Sequence, residues 1–339
     1  MKQTGHRGIG PRHATASLWL GTALLAYGLA ARADDVPSPA SRKQAASETA
    51  ERNARCKAIQ PFYWEIGDRQ QRLAGGSVGG NEPDATTQMK IASASKWVFG
   101  AYVIELRGGR LSEADIRALT MRSGYTSFNY GSCVKLLPRR QAHETVAECF
   151  DNAGNNRYSA ANDGRFFYDG GHFQAHAVKA LDLGQLNDEG LAQAVNAMLG
   201  IDIGYASPQL AAGVETSATA YARFLQRTLS GELRIHDALG THAVCTNPRS
   251  CSQAVSTPIP QNESWHYSIG HWVEDDPRVG DGAYSSPGAF GFYPWIDADK
   301  TYYGILARHS VNPHAGYEST QCGRNIRRAW LEGRYVPAS

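Results

Sequence analysis

The segment from about Ser93 to Leu106 is apolar on nearly every helical face, through Trp97, Val98, Phe99, Ala101, Tyr102, Val103 and Ile104, and it stops at Gly108-Gly109. A helix without a polar side has to be buried all round, so the remaining chain must enclose it. Strand-like runs lie on both sides in sequence. Phe62 to Ile66 and Gln88 to Ile91 flank a Gly-rich turn, Gly75-Gly76-Ser77-Val78-Gly79-Gly80. Tyr267 to Val273, Phe290 to Ile296 and Tyr302 to Leu306 come late, before a last helix from about Thr320 to Glu332. Between them, Leu111 to Ser230 reads as short helices (Phe173 to Leu181, Glu189 to Met198, Ser217 to Ser230) in polar loops. The expected fold is α+β: a central antiparallel sheet from residues 56–92 and 265–339, flanked by helices, with a helical domain inserted at about 110–230.

Ahead of this domain, Lys2, Arg7 and Arg12 precede an apolar run from Ser17 to Ala30 that ends in Ala31-Arg32-Ala33. That order predicts a signal peptide over residues 1–33, cleaved before Asp34, and then a mobile lead-in over 34–55 rich in Ala, Ser, Pro and charge. The run is too short to span a membrane comfortably, so no stable span is expected after cleavage, and the mature protein is expected to be periplasmic or secreted. Cleavage removes four of the 34 basic groups and none of the 32 acidic ones, turning a formal +2 into −2, which provides no footprint for nucleic acid. Six cysteines remain in an exported chain, an even number that favours disulfides over a metal site, since none forms C-x-x-C. Fifteen pairings are open. The one expected is Cys133–Cys149 and Cys245–Cys251 as short loops, with Cys56–Cys322 tying the ends.

Ser93-Ala94-Ser95-Lys96 opens the buried helix. Residues three apart share a helical face, and an amine kept neutral by burial can take the proton of an adjacent serine, which is otherwise a poor nucleophile. The pattern S-x-x-K alone is weak: Ser132-Cys133-Val134-Lys135 matches too, but Leu136-Leu137-Pro138 after it cannot continue a long helix.

From Lys90 to Arg308 the order of motifs resembles the serine β-lactamases of class C, the D-Ala-D-Ala carboxypeptidases and related esterases. Ile91 to Ala101, IASASKWVFGA, is similar to the nucleophile helix of that superfamily; Met121 to Ser127 is similar to a segment ending in a Thr-Ser-Gly turn. Gly164 to Gly170, GRFFYDG, is similar to its tyrosine motif, and Ala212 to Leu225 to a Gly-rich turn and helix. Tyr267 to Val273 and Ser285 to Asp297 resemble the last sheet strands, with Ser286-Pro287-Gly288 where K/H-x-G falls. The resemblance covers about two thirds of the mature chain. It implies a β-lactamase-like fold, Ser93 as nucleophile, Lys96 as base, Tyr168 as a second acid/base group with its pKa lowered by cationic Lys96, and the backbone N–H groups of Ser93 and Ala289 as oxyanion hole. Gly170, Ser286 and Gly288 would touch substrate, and neither cofactor nor metal is implied. Two positions depart from the pattern: Gly170 stands where Asn is common, and Ser286 where a basic residue receives a substrate carboxylate. An ester, or an amide lacking that carboxylate, therefore fits better than a β-lactam or a D-Ala-D-Ala peptide.

Rival readings use other residues. Gly75-Gly76-Ser77-Val78-Gly79 matches G-x-S-x-G formally, but polar sequence precedes it and a loop follows, so a hairpin is expected rather than a nucleophile elbow. His172 and His176, four apart on a helix, lack a third ligand and are expected at the surface or lining a pocket. The rings of Trp265, Tyr267, Trp272, Tyr284, Phe292, Tyr293 and Trp295 belong to the core or to an apolar groove. The function expected is an exported serine hydrolase acting through an acyl-enzyme on a small or oligomeric ester or amide. A carboxypeptidase or β-lactamase is the alternative within this chemistry, and a non-catalytic binder on a hydrolase-like fold the alternative outside it.

Overall fold

The strand Phe62–Gly67, FYWEIG, is buried along its whole length and takes the centre of one half of the main sheet, paired on one side with Arg72–Val78 and on the other with Tyr303–Ala307. A computed structural model describes residues 36–81, 83–133 and 144–337, and from Pro37 onward the chain forms one compact unit. The expected signal peptide lies outside the described residues.

The sheet has eight antiparallel strands, in the order Arg72–Val78, Phe62–Gly67, Tyr303–Ala307, Tyr293–Ile296, Ala283–Ser285, Trp272–Glu274, His266–Tyr267, Val244–Cys245. Its first and last strands in sequence are neighbours, with Trp64 opposite Leu306. Gly304 lies under the Trp295 ring, where a Cβ would come within 2.2 Å of it. On one face the C-terminal helix Ala315–Glu332 and the helix Pro39–Arg52 cover Trp64, Trp295 and Leu306. The other face carries Ser95–Leu106, buried from Ser95 to Ile104, packed with the helices Asp188–Leu199 and Ala218–Leu229 through Phe99, Leu191, Val195 and Phe224. The middle of the chain supplies the helices Glu113–Leu119, Val146–Asp151 and Gly171–Ala180. Cys56 is bonded to Cys322, Cys133 to Cys149, and Cys245 to Cys251.

Three expectations change. Residues 34–55 are not a mobile lead-in throughout: Pro39–Arg52 is a helix capped by Ser38, and its buried stripe Ala45, Ala46, Thr49 and Ala50 lets it lie close to the C-terminal helix. Gly75 and Gly76 are strand, not turn; at Gly75 (φ +151°) a Cβ would sit 2.5 Å from the Trp64 carbonyl oxygen. Tyr267 to Val273 is two strands, because Gly270 turns the chain at φ +73°.

That turn presses on the buried helix. A Cβ on Gly270 would lie 2.4 Å from the Lys96 carbonyl oxygen, and one on Gly100 would lie 2.7 Å from that of Ile269. Ala is better than Gly in a helix by about 1 kcal/mol, but overpacking against backbone costs about 1–3 kcal/mol, so the clash is expected to win. Gly100→Ala should lower the thermal midpoint by several degrees in a melt followed by circular dichroism; an unchanged or raised midpoint would show that the helix and the turn can separate freely.

Candidate active site

Ala92, at φ +48°, is a non-glycine residue in left-handed backbone, a conformation kept only where the surroundings impose it. It opens the 3-10 turn Ala92–Ala94, which feeds the helix Ser95–Leu106 and carries Ser93 at its middle. The turn is held from three sides. Ser95 Oγ donates to the Ala92 carbonyl at 2.6 Å, Tyr221 Oη to that of Ala94 at 2.9 Å, and Ser286 Oγ to that of Ser93 at 2.9 Å.

One helical turn on, Lys96 is completely buried while Ser93 keeps partial access to solvent. Lys96 Nζ donates to Ser93 Oγ at 2.9 Å and to the Ala211 carbonyl at 2.9 Å, and lies 4.8 Å from the centre of the Tyr168 ring. Burial pulls the Lys96 ammonium down from 10.5 to about 7, opposed by the nearby Asp169 carboxylate. Tyr168 packs on Trp272, with centroids 5.3 Å apart, and its hydroxyl reaches the side chains of both Ser93 and Trp272.

The expected lowering of the Tyr168 pKa does not occur. Burial pushes it up to about 12, outweighing the hydrogen bonds from Ser93 and Trp272. An amine that gives up its proton near neutral pH provides no lasting cation to hold a phenolate. Tyr168 therefore stays a phenol and has a proton to give.

The segment Ser286–Ala289 runs beside the serine turn. Gly288 is so close that a Cβ there would sit 2.1 Å from the Ile91 carbonyl oxygen. Its N–H is spent on the Phe292 carbonyl at 2.7 Å, leaving the exposed Ala289 at the tip of the hairpin. Ser286 supplies no charge, and its hydroxyl is committed to backbone.

Gly170 caps the helix Gly171–Ala180 next to Tyr168, and the Tyr130 hydroxyl fills the space its side chain would take. Sequence reasoning missed Tyr130, Asp169, Ala211 and Trp272 as site residues. Asp169 was within reach, as the titratable residue inside the Tyr168-Asp169-Gly170 motif. Its Oδ1 accepts from Gly171 N at 2.7 Å and Phe128 N at 3.2 Å, and burial raises its pKa to about 6 against the pull of these bonds and of Lys96.

The rival residues lie elsewhere. Ser77 is an exposed strand residue whose Oγ donates to the Pro83 carbonyl at 2.7 Å, without the strand-to-helix turn of a nucleophile elbow. Ser132 sits in the turn Tyr130–Cys133, and Lys135 lies outside the described residues. His172 and His176 are buried rather than on the surface, and both line a cavity of about 620 Å³ beside Glu113 and Arg117. His172 is held between Ser123 at 2.9 Å and the Phe167 carbonyl at 2.9 Å, its pKa lowered to about 4 by burial, and His176 pairs with Asp115 at 2.8 Å. Of the aromatic cluster, Trp265, Tyr267, Trp272, Phe292, Tyr293 and Trp295 are core, while Tyr284 is only partly buried.

No protein-family model matches the sequence, and neither does any curated protein. Solved structures do match. EstCE1, a hydrolase with promiscuous acyltransferase activity, superposes with a TM-score of 0.60 at 12% identity, over 86% of this chain and 98% of its own. Simvastatin synthase (LovD) from Aspergillus terreus gives 0.56 at 15% identity, over 86% and 97%. A D-stereospecific amidohydrolase from Streptomyces sp. gives 0.53 at 13% identity, over 84% and 98%. The fold is that of the β-lactamase-like serine hydrolases, as the sequence resemblance implied.

Proposed function

We propose that this chain is an exported serine hydrolase that cleaves an ester or amide through an acyl-enzyme on Ser93. The observation that carries this reading is the pairing of a fully buried Lys96 amine, 2.9 Å away, with a serine that solvent can reach. An unpaired buried ammonium is costly, and nothing but chemistry at the serine needs an amine there. As the substrate carbonyl arrives, neutral Lys96 takes the Ser93 proton and Ser93 Oγ bonds to the carbonyl carbon. The Ser93 and Ala289 N–H groups are assigned to the oxyanion. Tyr168 then hands its proton to the leaving group as that bond breaks, and the Lys96 ammonium restores the proton to Tyr168. Water repeats the sequence on the acyl-enzyme, releasing the acid. No cofactor takes part in these steps.

Ser286 in place of a basic residue favours esters and amides without a carboxylate next to the scissile bond over β-lactams and D-Ala-D-Ala peptides. The three disulfides and the leading sequence support a periplasmic or secreted location, and no helix among the described residues is long and apolar enough to cross a membrane. Intact-mass labelling with a fluorophosphonate tests the nucleophile. One adduct is expected on the mature protein and on Ser77→Ala, and none on Ser93→Ala; an adduct that survives Ser93→Ala rejects the mechanism. Chromogenic esters and a β-lactam assayed alongside would rank the substrates, with the ester fastest.

A further inference from the structure

The slot left by Gly170 is occupied from another part of the chain. A Cβ at position 170 would lie 2.6 Å from Tyr130 Oη, so the hydroxyl sits where the first atom of an asparagine side chain would be. Several contacts fix it there. The Tyr130 carbonyl accepts from Gln209 Nε2 at 2.8 Å, the ring packs edge-on against Phe128 with centroids 5.0 Å apart, and Asp169 ties Phe128 N to Gly171 N. The Cys133–Cys149 disulfide follows three residues later. Tyr130 remains 37% exposed, so it borders the open side of the site, and its ring lies 6.0 Å from Lys96 Nζ. The Gly170 N–H donates to its oxygen, which leaves the phenol proton free to be donated, and burial of the hydroxyl keeps that proton in place by raising the pKa well above 10.

We propose that the Tyr130 hydroxyl replaces the side-chain amide missing at Gly170 and donates a hydrogen bond to a second carbonyl on the acyl side of the substrate. The site then selects acyl groups that carry an amide or ester carbonyl close to the scissile bond. This inference rests on the acyl-enzyme reading and adds a specificity residue to it. The buried Tyr267 hydroxyl, without a partner among the described residues and close enough to Tyr130 and Tyr168 to feel their charge, makes this corner of the site polar at its tip and aromatic at its walls.

The test compares the p-nitrophenyl esters of N-acetylglycine and butyric acid, which differ in the acyl-side amide. Tyr130→Phe is expected to lose about tenfold in kcat/KM on the first and at most about threefold on the second, the scale of one hydrogen bond, while still forming the fluorophosphonate adduct at Ser93. Gly170→Asn in a Tyr130→Ala background, where the slot has been emptied, should recover part of the preference lost in Tyr130→Ala alone. Equal losses on both esters, or no loss, with Ser93 still labelled, overturn the role of Tyr130 and leave the acyl-enzyme intact. Hydrolysis of both esters by Ser93→Ala would instead overturn the acyl-enzyme and this inference with it. Should Tyr130→Phe fail to label, the double variant decides: a regained preference for the amide-bearing ester supports the proposal, and equal rates reject it.

Discussion

Lys96→Met is expected to abolish turnover and to make the protein more stable at the same time. Methionine matches the length and volume of the lysine stem but has no basic nitrogen, so kcat/KM should fall by about 10³-fold or more, at the upper end of what a general base contributes. Stability should move the other way. With a folded-state pKa of about 7 against 10.5, the amine is protonated less readily in the folded chain than in the unfolded one. Between those two values the unfolded chain binds more protons, so stability rises with pH across that window, and below pH 7 the full penalty applies, roughly 5 kcal/mol. Methionine removes the penalty but leaves the Ala211 carbonyl without its donor, which costs about 1–3 kcal/mol. A net gain of a few kcal/mol at pH 6 and a smaller one at pH 9 should appear in urea denaturation at both pH values. A loss of stability at pH 6 would mean that Lys96 is held as a structural cation, and the proposed chemistry would fail with it.

The second large effect is on the acid limb of the pH profile. If Lys96 must be neutral, kcat/KM should rise with pH with a midpoint near 7, and at pH 5 the rate should be about 1% of its plateau, because two units below the midpoint only that fraction of the amine is free. Asp169, itself titrating at about 6, raises the Lys96 pKa when ionised, so the limb belongs to the pair. Asp169→Asn keeps an Oδ1 that can accept from both Gly171 and Phe128 N–H and removes only the charge. The midpoint should then move to lower pH, with the largest gain between pH 6 and 7, where the wild-type aspartate is charged and the amine still mostly protonated. An upward shift would assign the limb to another group.

The helix at Ser93 was legible because its physical signature is local: an all-round apolar run led by a serine and a lysine one turn apart. The order of motifs placed Tyr168, Gly170 and Ser286 around it. What the sequence hid is set by distant neighbours. The charge state of Tyr168 depends on how deeply Trp272 and the helix bury it, which no motif records. Tyr130 enters the site only because the chain folds back 40 residues later to leave a glycine beneath its hydroxyl. The helix Pro39–Arg52 was obscured by its alanines, which score weakly as apolar residues yet suit close approach to a second helix. Gly75 and Gly76 read as a turn because glycine usually marks one; in the sheet they make room for the backbone of a neighbouring strand.

The pairing of the strand Phe62–Gly67 with Tyr303–Ala307 has a consequence for how the molecule can be made. Its longest-range contacts join parts of the chain about 240 residues apart, so the middle of the sheet stays unpaired until almost all of the polypeptide is present. A nascent chain of this protein carries its reactive helix early and the wall that covers it late. Products cut short before Ala307 should therefore be unable to bury that helix, and a cell would meet them as substrates for proteases and chaperones rather than as partly working enzymes.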